Sequence, residues 1–405
     1  MNKTIKLAVA GAVLALSASA NAGIIIPAGD WTLDVNGNVN TYVNMTKAHD
    51  SNTVSGGLAS KTVAGDTGDK LIGINTGLLP AWLGFTGTTR QNDVDVSFTI
   101  SMQPNVSDNA VTGDALAPLF RQANMTFGDK SWGSIKLGKD IGIFAKNAIL
   151  NDMTLLGVGG GAGLSGASTT LGGIGTGYIY AAWKGQATYT TPNMNGFQAS
   201  AGIFNPNQIG NATAAAVRQD RFGLEGEASY SFAQGDFSGK VWVSGLSYDV
   251  STTTSTSYTA SAGDIGANVN ANGFGLTAYY YGGSGLGTTA FGNGATVVAP
   301  GTVSAATTST NKRDSDGGYI QLTYALPIKT KLGVAYGVSN LDMASGEVAA
   351  ANTNVKSNER VTVGAYHPLT KHLNLVAEFN QIQSENHAGQ KNESETYSAG
   401  AILFF

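Results

Sequence analysis

Residues 32–45, TLDVNGNVNTYVNM, place Leu33, Val35, Gly37, Val39, Thr41, Val43 and Met45 on one parity. Asp34, Asn36, Asn38, Asn40, Tyr42 and Asn44 take the other. A period of two is that of a strand with one apolar and one polar face. The pattern returns in DVDVSFTISMQ (93–103), where Val94, Val96, Phe98, Ile100 and Met102 alternate with Asp93, Asp95, Ser97, Thr99 and Ser101. It returns again in RFGLEGEASYSF (221–232) and TYSAGAILFF (396–405), although Ile402 and Phe404 blur the polar face of the last segment. In a soluble sandwich the apolar face covers a core; in a membrane barrel it meets lipid and the polar face meets water.

The N-terminus carries Lys3 and Lys6, then the apolar run LAVAGAVLALSA and the small residues ANA ending at Ala22. This reads as a secretory signal over residues 1–22, cleaved after Ala22, with 23–405 forming a single barrel domain. Its removal leaves 21 basic against 27 acidic side chains, a charge near −6, with no basic patch for nucleic acid. Zero cysteines in an exported chain exclude a disulfide framework and thiolate chemistry. Beyond the signal no apolar run reaches the length of a spanning helix. Charged residues are only 12%, against roughly 25% in soluble domains, while glycine numbers 55 and mean hydropathy is −0.02. A sheet whose two faces average out fits that balance.

Turn-forming clusters alternate in length along the chain. TTRQN (88–92), FGDKS (127–131), TPNMNG (191–196), AQGD (233–236), LPIKTK (326–331) and HPLTKH (367–372) are short. Connections near 46–76, 140–180, 205–218, 284–315 and 341–357 are long. Short turns at one end and long loops at the other define a transmembrane β-barrel. The spacing predicts an all-β, antiparallel barrel of about sixteen strands, at 31–45, 78–88, 92–104, 119–127, 131–139, 182–191, 196–204, 219–233, 236–249, 257–268, 271–283, 316–326, 331–340, 358–367, 372–384 and 395–405. SYTASAGDIGAN (257–268) alternates poorly and is retained because an even count returns both termini to one side. A barrel of this size encloses an open, water-filled lumen and leaves no sheet edge facing lipid. Leu33, Val35, Val39, Val43 and Met45 then face lipid or a neighbouring subunit and the asparagines between them face water, so that arginine at Asn38 is expected to cost little.

LGFTGTTRQND (83–93), FRQANMTFGDKSWGSIKLGKD (120–140) and ATYTTPNMNGFQASAGIF (187–204) resemble the general-diffusion porins of Gram-negative bacteria, the trimeric proteobacterial type. Lys139 stands where that family has arginine, and Thr126 and Phe127 replace its Gly-Leu. Terminal Phe405, preceded by apolar or aromatic residues at alternate positions, resembles the signal read by the outer-membrane assembly machinery. The resemblance implies an outer-membrane homotrimer without cofactor or catalytic activity, which passes small hydrophilic solutes and ions passively. It also implies that the third long loop, near 140–180, folds inward and narrows the lumen, with charges on loop and wall facing each other.

That loop is nearly uncharged. Asp140, Asp152 and Lys146 precede the glycine-rich stretch LLGVGGGAGLSGASTTLGGIGTG, which either packs tightly or stays mobile. Parity gives the lumen Arg90, Lys136, Lys184, Arg221, Lys240 and Arg360 among bases, and Asp93, Asp95, Glu225, Glu227 and Glu378 among acids. With Lys139, Asp140 and Asp152 added, these are the candidates for the pore lining and constriction, although rim hydrogen bonding is the simpler reading of Asp93 and Asp95. Both signs are present, so the sequence leaves ion preference open. A substrate-specific channel for a sugar or small organic acid is the alternative, with Tyr42, Trp82, Trp242, Tyr279, Tyr319 and Tyr366 as lumen aromatics. An enzyme or adhesin finds no support: GAGLSG (161–166) lies in no βαβ unit, DSD (314–316) lacks further oxygen ligands, and none of His49, His367, His372 and His387 accompanies an activated hydroxyl.

Overall fold

The computed structural model describes residues 23–61, 69–104, 106, 119–162, 169–206, 217–218, 221–252, 257–289 and 311–405; residues 1–22, expected to be a signal, lie outside them. Nineteen strands form one antiparallel sheet: β1 (Ile24–Ala28), β2 (Trp31–Ala48), β3 (Lys70–Asn75), β4 (Trp82–Gln91), β5 (Val94–Gln103), β6 (Leu119–Asp129), β7 (Gly133–Ile141), β8 (Trp183–Thr190), β9 (Phe197–Phe204), β10 (Val217–Arg218), β11 (Gly223–Gln234), β12 (Phe237–Thr252), β13 (Ser257–Ala271), β14 (Phe274–Ser284), β15 (Asp314–Ala325), β16 (Lys331–Leu341), β17 (Val355–Pro368), β18 (Leu373–Asn386) and β19 (Lys391–Phe404). β1, β3 and β10 are short side pieces, and the other sixteen close a ring. The seam is β2 against β19, in register from Ala48↔Ser394 to Asn38↔Phe404, and it extends by mutual backbone bonds between Gly37 and Phe405.

The poorly alternating segment is a full wall strand, since β13 pairs along its length with β12 and β14. Turn chemistry sets the short ends. Asn92 and Asp93 both have positive φ (48° and 60°), as do Asn272 and Gly273 (51° and 84°), the signature of two-residue hairpin turns whose twist matches the strands. Aromatic side chains gather beside these turns: Phe232 and Phe237 lie 5.3 Å apart and Phe274 and Tyr324 4.4 Å apart, as an interfacial girdle requires.

The opening pattern now has sides. Val39, Val43 and Met45 are 52%, 61% and 46% exposed on the outer surface, while Asn38, Asn40, Tyr42 and Asn44 are buried inside. Three expectations change. The asparagines do not face water: Asn38 and Asn40 donate to the carbonyls of Pro80 and Leu79, and Gly77 N–H donates to Asn40. Residues 78–81 are not wall strand, because this stretch bends inward and Leu78 N–H bonds Gly157 O at 3.0 Å. Nor is the lumen empty. The third long connection enters it as helix α1 (Lys146–Leu150), a 3-10 turn (Met153–Leu156) and extended chain. There Phe144, Ala148, Ile174, Tyr178 and Ile179 pack against Trp242, Tyr279, Tyr281 and Tyr319 of the wall.

Outside the membrane, Arg313 clamps Glu347 in the connection between β16 and β17. Its Nε is 3.1 Å from Glu347 Oε2, its other nitrogen meets Oε1, and Ala344 N–H adds a bond of 2.7 Å. The hydrogen bond from Arg313 holds this carboxyl below its ordinary value.

Two predictions follow from these placements. Arginine at Val39, midway along β2, is expected to cost about 2–4 kcal/mol in a lipid unfolding titration, while Ser97→Arg, half-buried on the lumen side, should cost well under half of that. Arginine at Asn38 is no longer a neutral control, since it breaks the bond to Pro80. Because the Glu347 value is depressed, its contribution is present above the ordinary carboxylate range and is lost as pH falls through the lowered value. Hydrogen exchange at Ala344–Glu347, corrected for intrinsic rate, should stay flat through pH 4.5, the unperturbed value, and rise only below it. An Arg313→Gln variant should show the rise at higher pH.

Candidate functional site

The inward chain fills one side of the lumen and leaves a cavity of about 730 Å3 on the other. Its wall comes from β2, β4 to β9, β11, β12 and the end of β19, and its floor from Leu78–Pro80, α1, Leu155, Leu171, Ile174 and Tyr180. An apolar floor therefore faces a polar wall. The wall and α1 contribute Arg121, Lys136, Lys146 and Lys240 as bases and Asp34, Asp140 and Glu227 as acids.

Most of these charges are paired. Lys136 bonds Asp140, which also accepts from Gln122 at 3.1 Å. Lys146 and Lys240 share one carboxylate, lying 3.7 and 3.4 Å from Glu227. Lys240 also donates to Asn147 at 2.9 Å, fixing α1 to the wall. Arg121 has no carboxylate among the described residues and makes one long bond, 3.4 Å, to the phenol of Tyr180.

Arg121 escapes a parity reading for a local reason. The pairing of β5 with β6 shifts between Ser101↔Gln122 and Gln103↔Leu119, so β6 carries one residue more than its partner. This bulge brings Arg121 to the cavity beside Gln122, although the two are adjacent in sequence.

The remaining candidates separate into three groups. Lys136 and Asp140 line the cavity. Lys184 and Arg360 lie on the wall behind the loop, and Asp152 lies within the loop, facing Arg360. Lys184 is 2.7 Å from Glu225, with both side chains at most 1% exposed, and its ammonium sits 4.0 Å from the Phe204 ring centroid. Asp152 accepts from Thr154 N–H, Gly173 N–H and Tyr178 OH and faces Arg360 at 3.8 Å, while Arg360 donates to Thr176. These residues hold the loop and do not touch the cavity. Arg90, Asp93 and Asp95 form the third group, an exposed cluster with Asp129 at the short-turn rim, where Arg90 is 2.8 Å from both Asp95 and Asp129. Lys139 belongs to none of them: on the outward parity of β7, it donates to Phe120 O. Arg221 lies two residues before β11 and turns out to Asp249.

Glu378, a wall carboxylate, accepts from Val158 and Gly159 N–H and from Tyr366 OH. The glycines decide how near the loop comes. A Cβ on Gly157 would stand 1.9 Å from Glu378 Oε1, and Gly159, at φ 59°, would place one 2.4 Å from Gly172. The described part of the glycine-rich stretch is thus packed; residues 163–168 lie outside the described set. Of the six lumen aromatics, only Trp82 reaches the cavity. Tyr42 and Tyr319 donate to loop carbonyls of Leu156 and Ala148, and Tyr366, Tyr279 and Trp242 are buried against the loop.

The family model of Gram-negative porins matches residues 7–387. The chain belongs to that family. None of the curated proteins compared matches this porin. Among solved structures it is similar to the outer-membrane channel DcaP of Acinetobacter baumannii, at 15% identity, TM-score 0.67, covering 95% of this chain and 100% of that one. It is also similar to Salmonella typhi OmpF in complex with daunomycin, at 14% identity, TM-score 0.60, covering 94% and 100%. The trimer form of Vibrio cholerae OmpT gives 13%, 0.54, 93% and 99%. The porin is an outer-membrane channel for passive diffusion of small hydrophilic solutes and ions.

Because Asp152 serves four partners inside the barrel, Asp152→Ala strands Arg360 without a counter-charge. The variant is expected to lose about 3–5 kcal/mol of unfolding free energy and to show larger, noisier single-channel conductance as the loop loosens. An unchanged conductance trace would mean that the loop is held without this hub.

Proposed function

We propose that this porin is a non-enzymatic, trimeric diffusion pore with a preference for small anions. The observation that carries the preference is Arg121, a guanidinium in the narrow zone bonded to a phenol and to no carboxylate among the described residues. Beside it two lysines share the single charge of Glu227. Low-dielectric walls focus such a field, so the narrow zone sets the selectivity. The acids at the rim are exposed and screened within about 10 Å at ordinary salt. Lys136 and Asp140 act as a neutral pair in the passage, and Lys184, Asp152 and Arg360 act through the loop they hold.

A sugar-specific channel finds less support, because five of the six lumen aromatics are occupied in holding the loop. The trimer rests on the trimer form of the similar OmpT. Export through a signal cleaved after Ala22, and delivery of Phe405 to the assembly machinery, complete the reading. Phe405 is bonded into the seam at Gly37, so any recognition of its free end precedes closure.

In planar bilayers under a salt gradient, the reversal potential of the wild type should report anions as the more permeant species, and Arg121→Gln should move the anion-to-cation ratio several-fold toward cations. Cation preference in the wild type, or an indifferent Arg121→Gln variant, would refute the assignment. Conductance steps in threes would support the trimer.

A further inference from the structure

The outer face of the closing seam carries a donor set that diffusion does not use. His49 follows the last residue of β2, and its N–H bonds Glu393 O of β19 at 3.0 Å. Glu393 and Glu395 lie two apart on β19, so both side chains stand on the same outward face. One ring nitrogen of His49 and one carboxylate oxygen of each glutamate fall within 4.8 Å of one another. His49 Nε2 is 3.9 Å from Glu395 Oε1.

The neighbouring cations do not neutralise this set. Lys47, directly across from Glu395, turns to Asp69, and Lys391 turns to Glu385. Two carboxylates and an imidazole thus lie within reach of one ion on the side away from the barrel, with Glu393 Oε1 also accepting from Gln381 at 2.6 Å. Two residues below Glu395, Tyr397 packs on Phe379 with centroids 5.1 Å apart, which places the cluster at the level of the headgroups.

We propose that His49, Glu393 and Glu395 form a binding site for a borderline divalent metal ion of the Zn2+ type, which clamps the barrel seam. An imidazole with two carboxylates suits such an ion, while Ca2+ and Mg2+ prefer oxygen donors alone. Three protein ligands leave a fourth position open outward. A tie between the first and last barrel strands closes the longest loop in the chain, and clips on long loops constrain the unfolded state most. Metal bound to the folded barrel and not to the unfolded chain raises stability by mass action.

The test uses the whole folded porin in detergent, stripped with chelator and titrated calorimetrically with ZnCl2, with CaCl2 and MgCl2 as controls. One saturable Zn2+ site per chain is expected, weakened at least tenfold in His49→Gln and in Glu395→Gln, with no comparable response to Ca2+ or Mg2+. His367→Gln, at the opposite rim, keeps the site and serves as the folding-matched control. Zn2+ should raise the unfolding temperature of the wild type and leave that of His49→Gln unmoved. Absence of a saturable site, equal affinity in wild type and His49→Gln, or binding without any thermal shift would each overturn the proposal.

Discussion

Hydrocarbon offers backbone N–H and C=O groups no partner, and that single constraint organises this molecule. A sheet placed in lipid must bond both edges of every strand, which forces β2 onto β19 although they lie at opposite ends of the sequence. Closure fixes the two faces, because a one-residue slip would turn every outward side chain in. Val39 and Asn38 therefore differ in environment as sharply as lipid differs from protein interior, while being adjacent on the chain.

The ring that solves the backbone problem creates a second one, since sixteen strands enclose more space than their own side chains fill. The protein fills part of it with chain, and that chain brings backbone groups that must also be bonded. The polar lumen face supplies the partners. Glu378 takes the N–H groups of Val158 and Gly159, Gln321 that of Met153, Asp264 that of Ala145, and Asn38 and Asn40 bind Pro80 and Leu79. Polarity on the inner wall is thus partly structural, and an inward acid is not by that fact a selectivity element.

This explains what could be read from the residues and what could not. Period-two alternation and turn chemistry are local, so the sixteen wall strands were legible, down to the weak one at 257–268. Lys184, Asp152 and Arg360 have the right parity or loop for a lining role, but their fate depends on where the loop lies, and no spacing along the chain reports that. Residues 78–81 read as strand because Leu78, Leu79, Ala81 and Trp82 are apolar, yet they serve an inner contact. Arg121 was hidden by a bulge that only the pairing with β5 discloses. Of the outer-surface residues, His49 reads as part of a surface loop until the seam sets it beside Glu393 and Glu395.

The chain as a whole carries more acids than bases, 27 against 23, while the narrow zone carries the opposite excess. The two facts do not conflict, because charge acts through its surroundings. Asp93, Asp95 and Asp129 stand around Arg90 at a wide, wet rim, where the field fades within a Debye length of about 10 Å. In the cavity, Asp140 is consumed by Lys136 and Glu227 is divided between two lysines, so that with Asp34 counted the four bases exceed the three acids by one. A count of charges along the lumen would call this pore balanced. The cavity, where α1 brings Lys146 to the Glu227 that Lys240 also holds, counts one base more than its acids.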